Sequence, residues 1–396
     1  MKVRFRKGDT FWYYSQLFNV PLILILESNP HVSPNAAWPG TVVDIPGYVT
    51  ESYIIQENES LWVIARRSGL SVDALVLLNA DLNPMVLQPG QIIRLPGRIT
   101  WLITQTNRAY DSNSLITDIN RLLAIYPFIK QRSIGTSVMG KEITELRIGI
   151  GKKRVHVNGS FHANEWITTP VLMRFLNEYL LALTNKGSIR GLQIERFFNS
   201  VMLSIVPMVN PDGVDLVIHG APYEEPYRSW VISINQGNPD FSLWKANIRG
   251  VDLNNQFPAL WEREAATKEQ SPSPRDYPGS APLTESEAIA MANLTKQSDF
   301  HRVLAFHTQG KVIFWGFENL EPQDSRRLAD EFARVSGYTP IAYTKSYAGY
   351  KDWFIQEWRR PGFTIELGRG MNPLPLSQFE EIYQESLGIL LASIYA

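Results

Sequence analysis

The first hundred residues repeat themselves fifty positions apart, and this constrains the fold more than any other feature of the chain. Trp12 recurs as Trp62, Pro39-Gly40 as Pro89-Gly90, and Ile45-Pro46-Gly47 as Leu95-Pro96-Gly97. The apolar run Val20–Asn29 is matched by Leu70–Asn79. A period of this length marks a small supersecondary unit used twice, not one continuous core. Each copy reads strand, helix, helix, strand. Lys2–Arg6 is strand-like, Asp9 and Thr10 offer a helix N-cap, and Ser71 caps the second helix of the second copy, with Asp73 in its first turn. A Pro-Gly turn then leads into the strands Thr41–Ile45 and Gln91–Leu95.

The repeat resembles the LysM module, which binds glycans containing N-acetylglucosamine. The first copy carries Gly8-Asp9-Thr10-x-Trp12, Asn29-Pro30, Pro39-Gly40 and Ile45-Pro46-Gly47. The second carries Asn58-Glu59-Ser60-x-Trp62, Asn79, Pro89-Gly90 and Leu95-Pro96-Gly97, without the Gly-Asp-Thr opening. The expected organisation is module 1 at 1–48, module 2 at 49–98 and a larger domain at 99–396. A pair of small repeats that only packs on that domain and binds nothing is the plainer alternative. Units of this size are marginal alone, so docking on a neighbour is expected.

Bulk properties exclude several classes. The net charge of -1 gives no electrostatic case for nucleic acid or an anionic membrane. The absence of cysteine rules out disulfides, thiolate metal sites and cysteine nucleophiles, so any metal must be held by Asp, Glu or the six histidines. The basic N-terminus is followed by no signal-like apolar region, and Val20–Leu26 is too short and proline-containing to span a membrane. No signal peptide is expected. The LysM resemblance, together with the missing signal peptide, implies the cytoplasm of a sporulating or lysing Gram-positive cell, or the wall after release, as the expected location.

From about residue 100 apolar strands and amphipathic helices alternate. Strands are predicted at Arg154–Asn158, Val201–Val209, Val303–His307 and Phe363–Leu367. Helices are predicted at Thr168–Leu183, Glu285–Leu294, Asp324–Val335 and Ser377–Ile394. The pattern predicts an α/β layered sandwich, in which ligands gather at strand ends. His162, His307 and Glu366 each end a predicted strand. His162 and Glu165 are spaced so that both can reach one metal, leaving room for a third ligand and an open position. His307 is the natural third ligand, although a histidine ending an apolar strand is more often a satisfied core residue.

Residues 100–396 then resemble the zinc carboxypeptidase family. The pieces that carry the likeness are His162-Ala-Asn-Glu165-Trp166-Ile-Thr, Pro207-Met-Val-Asn210-Pro-Asp-Gly213, Gly250-Val-Asp252-Leu-Asn254, His307 and Phe363-Thr-Ile-Glu366-Leu, in family order. The resemblance implies a carboxypeptidase A-like sandwich with a mixed central sheet flanked by helices. It implies one Zn2+ held by His162, Glu165 and His307, with Glu366 as general base. Asp252 matches a carboxylate that hydrogen-bonds a ligand histidine. The cation that stabilises the oxyanion aligns with Lys245, but Arg249 could reach in, and its planar fork suits an oxyanion better. The family's substrate-binding tyrosine corresponds to Tyr343 or Tyr347.

Departures from the family point to the substrate. Carboxypeptidases fix a terminal carboxylate with Asn-Arg, but here the pair is Asn254-Asn255, and the arginine usual inside H-x-x-E is Asn164. Losing the bidentate arginine weakens an exopeptidase reading. Lys351, just before Asp352-Trp353, places a cation where a specificity pocket is expected, and would suit an acidic substrate. Among relatives, LysM-bearing bacterial enzymes that cut the γ-D-glutamyl–meso-diaminopimelate bond of peptidoglycan stem peptides fit best. Their glycan modules would raise the local substrate concentration. Other readings are a carboxypeptidase on ordinary peptides, an inactive wall-binding protein, Lys351 as a solvated lysine, and a carboxylate clamp passed to another cation.

Overall fold

A computed structural model of the chain describes residues 1–33 and 37–396. It divides into two compact units. One contains residues 1–104, 118–130 and 177–196, and the other 105–117, 131–176 and 197–396.

In the first unit each repeat is a βααβ module. Strand β1 (Lys2–Arg4), helices α1 (Phe11–Leu17) and α2 (Leu22–Ser28) and strand β2 (Val42–Asp44) form the first. Strand β3 (Tyr48–Ile54), helices α3 (Leu61–Arg67) and α4 (Val72–Leu78) and strand β4 (Ile92–Arg98) form the second. The strands of each module pair antiparallel. The caps are local: Thr10 Oγ accepts from Tyr13 N, Ser60 Oγ from Val63 N and Ser71 Oγ from Asp73 N. Asn29 repeats as Asn79. Each side chain accepts from the final strand of its module and donates to a carbonyl on both sides, closing helix onto sheet. The two modules are braced together. Arg6 makes two bonds to the Asp73 carboxylate, at 2.8 and 2.6 Å, and the Tyr13 hydroxyl donates to it at 2.6 Å.

Within the same unit the backbone of Gly47 donates to Ile125 O and accepts from Ile99 N. Its φ is +75°, and a Cβ there would sit 2.8 Å from that of Thr184, so both conformation and space select glycine. Arg98 donates to Asn185 Oδ1 and to the Phe18 carbonyl while stacking over Tyr48. Between residues 188 and 193 a short hairpin joins β8 (Ser188–Ile189) to β9 (Leu192–Gln193), numbered after β5 (Lys130–Thr136), β6 (Glu142–Ile148) and β7 (Lys153–Gly159) of the large sheet.

That sheet, in the second unit, has eight strands. They are β5 (Lys130–Thr136), β6 (Glu142–Ile148), β7 (Lys153–Gly159), β10 (Val201–Val206), β11 (Arg302–Thr308), β12 (Val312–Phe314), β13 (Thr339–Ile341) and β14 (Gly362–Leu367), in spatial order β13-β12-β14-β11-β7-β10-β6-β5. The centre is parallel: β14, β11, β7 and β10 run together. Strands β6 and β12 join antiparallel, which makes the sheet mixed. Strand β11 is buried at every residue, as expected of a strand covered on both faces. Helices 286–298, 324–336, 350–358 and 379–395 flank the sheet, each with a buried stripe. The strand predicted over Val201–Val209 ends earlier, at Val206, because Pro207 interrupts the ladder and Asn210 caps the following helix.

Candidate metal centre

The central strands deliver the site. His307 and Glu366 are paired neighbours in β11 and β14, so they sit on one face at the same rung. Strand β7 ends at Gly159, beside them in the sheet. Space selects glycine there, because a Cβ would meet Thr168 Oγ1 at 2.9 Å and Pro207 O at 3.1 Å. The chain then turns through Ser160, at φ +51°, into a short 3-10 turn, Ala163–Glu165. Three interactions hold that turn. Ala163 N donates to Lys245 O, and the Asn210 amide donates to Phe161 O at 3.2 Å and to Ala246 O at 3.0 Å. Asn210 thereby ties the H-x-x-E loop to the Lys245 segment while its oxygen caps the helix at Gly213.

The donor atoms converge. His162 Nδ1 is 2.9 Å from Glu165 Oε1, His307 Nδ1 is 2.9 Å from Glu165 Oε2, and the two imidazole Nδ1 atoms are 3.2 Å apart. One ligand atom from each residue lies within 4.8 Å of the others. Two imidazole nitrogens facing each other beside one carboxylate, all buried, form a donor set that a divalent cation satisfies. Two histidines and a carboxylate, with further positions open to a cavity, fit catalytic zinc. The tautomer of His162 is set from behind: its Nε2 donates to Asp252 Oδ1 at 3.1 Å. Phe161 stacks on His307, with centroids 6.0 Å apart. Asn372 donates to Glu165 Oε1 at 3.4 Å and to Thr308 O, and Thr308 N donates to Glu165 Oε2.

The electrostatics follow from burial and pairing. Burial opposes a charge on His162, but Glu165 and Asp252 outweigh it and raise its pKa to about 9. Burial dominates at His307 and lowers its pKa. Burial also opposes ionisation of Asp252, yet Lys245 and His162 hold its carboxyl well below the usual range. Glu366 is pushed up to about 8, first by burial and then by the negative charge of Glu165. A cation bound by Glu165 would offset that second cause.

A cavity of about 540 Å³ opens onto this centre. His162, Asn164, Glu165, Lys245, Arg275 and Glu366 line it, together with Asn372 and apolar side chains including Phe314 and Met371. Lys245 lies 2.8 Å from Asp252 and 3.3 Å from Asp276. The other residues predicted from sequence lie elsewhere. Arg249 lines a separate cavity, over Trp230 and 3.8 Å from Glu285. Tyr343, Tyr347 and Lys351 line a third, of about 120 Å³. There Lys351 is buried, donates to Gly316 O at 2.8 Å and pairs with Asp352, so it is not a solvated surface lysine. The Tyr343 hydroxyl donates to Glu321 and Asn319, and Tyr347 N to Glu264. Asn254 accepts from Tyr350 N, and Asn255 is buried with no partner for its Nδ2 among the described residues. Arg275, Asp276 and Asn372 escaped the sequence reading. They are isolated polar residues in irregular segments, where no spacing distinguishes them.

Residues 115–388 match the zinc carboxypeptidase family model, and residues 3–46 and 53–96 each match the LysM domain model. The chain is 55% identical over 395 residues to gamma-D-glutamyl-L-diamino acid endopeptidase 1 of Lysinibacillus sphaericus, covering 100% of both chains. It is 42% identical over 354 residues to an uncharacterised protein of Bacillus subtilis, YqgT, covering 88% of each. Among solved structures, bovine thrombin-activatable fibrinolysis inhibitor in complex with tick carboxypeptidase inhibitor aligns at a TM-score of 0.56 and 19% identity. That alignment covers 73% of this chain and 97% of the other, and is a likeness of fold. No helix among the described residues is long and apolar enough to cross a membrane.

Proposed function

The chain belongs to the zinc carboxypeptidase family of metallopeptidases and carries two LysM domains, and from that premise we propose that it hydrolyses the γ-D-glutamyl–meso-diaminopimelate amide bond of peptidoglycan stem peptides. The observation that carries this reading is the end-to-end likeness to an enzyme named as a gamma-D-glutamyl-L-diamino acid endopeptidase, spanning both repeats and the peptidase. Asn255 in place of the family's clamping arginine supports it, because a carboxypeptidase needs a strong anchor for the terminal carboxylate.

Zinc, when bound by His162, Glu165 and His307, supplies Lewis acidity toward the scissile carbonyl and its attacking water. In this reading Glu366 accepts the proton of the attacking water and returns it to the departing amine. Its burial keeps that proton transfer within reach of neutral pH. Lys245, already in the cavity, faces the developing oxyanion in preference to Arg249, which the fold holds in another cavity. Asp252 orients His162 and steadies Lys245 at once. The LysM modules bind the glycan backbone and bring the peptidase to its stems, so the enzyme works at the wall or on its fragments.

The test is mass-spectrometric product analysis of the zinc-loaded protein on L-Ala-γ-D-Glu-meso-diaminopimelate and on a blocked dipeptide with a free C-terminal carboxylate. Release of diaminopimelate from the first, abolished by a chelator and restored by zinc, is the expected result. Turnover of the dipeptide alone would overthrow the reading in favour of an ordinary carboxypeptidase.

A further inference from the structure

The cleft of an enzyme that must hold an acidic peptide against its own carboxylates needs a cation with room to spare. Glu165 and Glu366 both face the catalytic cavity, and of the residues lining it only Lys245 and Arg275 carry an ammonium or a guanidinium. Lys245 is committed, with its ammonium between Asp252 and Asp276 and its side chain mostly buried. Arg275 is not. Its side chain is 59% exposed, and its Nε donates to Asp276 Oδ2 at 3.1 Å. Its two terminal amino groups have no partner among the described residues. An anchored guanidinium with a vacant fork is built to take a carboxylate through two parallel hydrogen bonds.

Its position is fixed relative to the chemistry. Lys245 N and Ala246 N both donate to Pro274 O, at 2.8 and 3.0 Å, which pins the backbone just before Arg275 alongside Lys245. Asp276 then bridges the two side chains, accepting from Lys245 on one oxygen and from Arg275 on the other. Whatever anion Arg275 binds therefore lies close to the carbonyl whose oxygen Lys245 faces. Lys351 cannot serve, because its ammonium is consumed by Gly316 O and Asp352 in a different cavity.

We propose that Arg275 determines substrate choice by binding the free α-carboxylate of the D-glutamyl residue on the acyl side of the scissile bond. This rests on the function proposed above. In a γ-linked glutamyl residue only three carbons separate that carboxylate from the scissile carbonyl, which suits a cation held beside Lys245. An α-linked residue with an apolar or neutral side chain offers no carboxylate at that distance. Arg275 thus selects an acyl-side residue that leaves a carboxylate free three carbons from the scissile carbonyl, as the γ-linked D-glutamyl residue does.

The experiment compares three peptides: L-Ala-γ-D-Glu-meso-diaminopimelate, the same peptide with the D-glutamyl α-carboxylate amidated, and the same peptide amidated on diaminopimelate. Each is assayed with the wild-type zinc enzyme, Arg275→Gln and Arg275→Lys, with zinc content measured for all. The wild type is expected to favour the free D-glutamyl carboxylate about a hundredfold in kcat/KM over its amide. Arg275→Gln should erase that preference, mainly through a raised KM for the free D-glutamyl carboxylate, and should lose far less on the D-glutamyl amide. Arg275→Lys should restore part of it. Equal losses on all three peptides would overturn the proposal, reducing Arg275 to a prop for Asp276, as would a loss that tracks the diaminopimelate amide. Failure of the wild type to cut any of them would defeat the functional reading itself, and this proposal with it.

Discussion

The ammonium of Lys245 lies 2.8 Å from the carboxylate of Asp252, whose other oxygen accepts the Nε2 hydrogen of His162 at 3.1 Å. One buried carboxylate therefore serves both a metal ligand and the cation of the cleft. Asp252→Asn keeps the shape but leaves Lys245 without its closest counter-charge and weakens the hold on His162. Zinc affinity should fall about 10–100-fold, as for other residues that orient a ligand histidine. Turnover at saturating zinc should fall further still, because Lys245 is displaced. Competition with a chromogenic chelator, followed by activity at saturating zinc, separates the two effects. Unchanged zinc affinity would show that His162 does not need Asp252.

Glu366→Gln removes the proposed proton acceptor without touching the ligands. Turnover of the diaminopimelate peptide should drop by about 10²–10⁴-fold. Zinc content and melting temperature should stay near wild type. Normal turnover by this variant would remove Glu366 from the mechanism.

Asn210 is a positioning residue. Its amide bridges Phe161 O and Ala246 O, and its oxygen caps the helix that begins at Pro211. Asn210→Ala leaves two buried carbonyls and one amide unpaired, at a cost of about 2–4 kcal/mol. We expect a lower denaturant midpoint and weaker zinc binding together, because the loop it ties down carries two ligands. Loss of stability with full zinc affinity would contradict that coupling.

The pH response has an identifiable contributor away from the metal. His156 is fully buried. It stacks on Phe300 and bonds to Ser204 Oγ at 3.0 Å and Asn158 Nδ2 at 3.1 Å. Ser204 donates onward to Glu145, so His156 is neutral with its hydrogen on Nδ1. Burial lowers its pKa to about 3. The unfolded chain takes up this proton below about pH 6.5 and the folded one does not. The contribution is therefore complete above pH 6.5 and is lost as pH falls toward 3, on the order of 5 kcal/mol across the window. His156→Gln should flatten the fall of the melting temperature between pH 6.5 and 4 relative to wild type. Parallel curves for the two proteins would sink the assignment.

Asp73→Ala tests the brace between the repeats. Three hydrogen bonds from Arg6 and Tyr13 converge on this partly exposed carboxylate, so the loss should be modest, about 1 kcal/mol. Hydrogen exchange should quicken in α1 and α4 while the peptidase sheet stays protected. Uniform exchange across the chain would mean that the brace carries no local stability.

The parts legible in the sequence were those with a period or a fixed spacing. The repeats were marked by paired tryptophans and Pro-Gly turns, and the peptidase by strand ends that carry His162, His307 and Glu366. Antiparallel β6 and β12 were not read, since short segments beside a parallel core carry no distinctive run. Side-chain destinations were harder still. Arg249 and Lys245 stand four residues apart with the same charge, and only the turn closed by Asn247, accepting from Arg249 N and Val251 N, sends them into different cavities. Lys351 read as a pocket cation because sequence does not show that a backbone carbonyl and Asp352 absorb its charge.

The shared rung of His307 and Glu366 has a consequence for how such enzymes diverge. A ladder of backbone hydrogen bonds sets their spacing, not the chain that joins them. The parts of the intervening segment outside β12, β13 and the helix Tyr350–Trp358, among them the stretch that carries Tyr343 and Tyr347, can consequently vary without moving ligand and base apart. Inheritance can then conserve bond cleavage on one strand pair while the connecting segment is rewritten for a new diet of substrates.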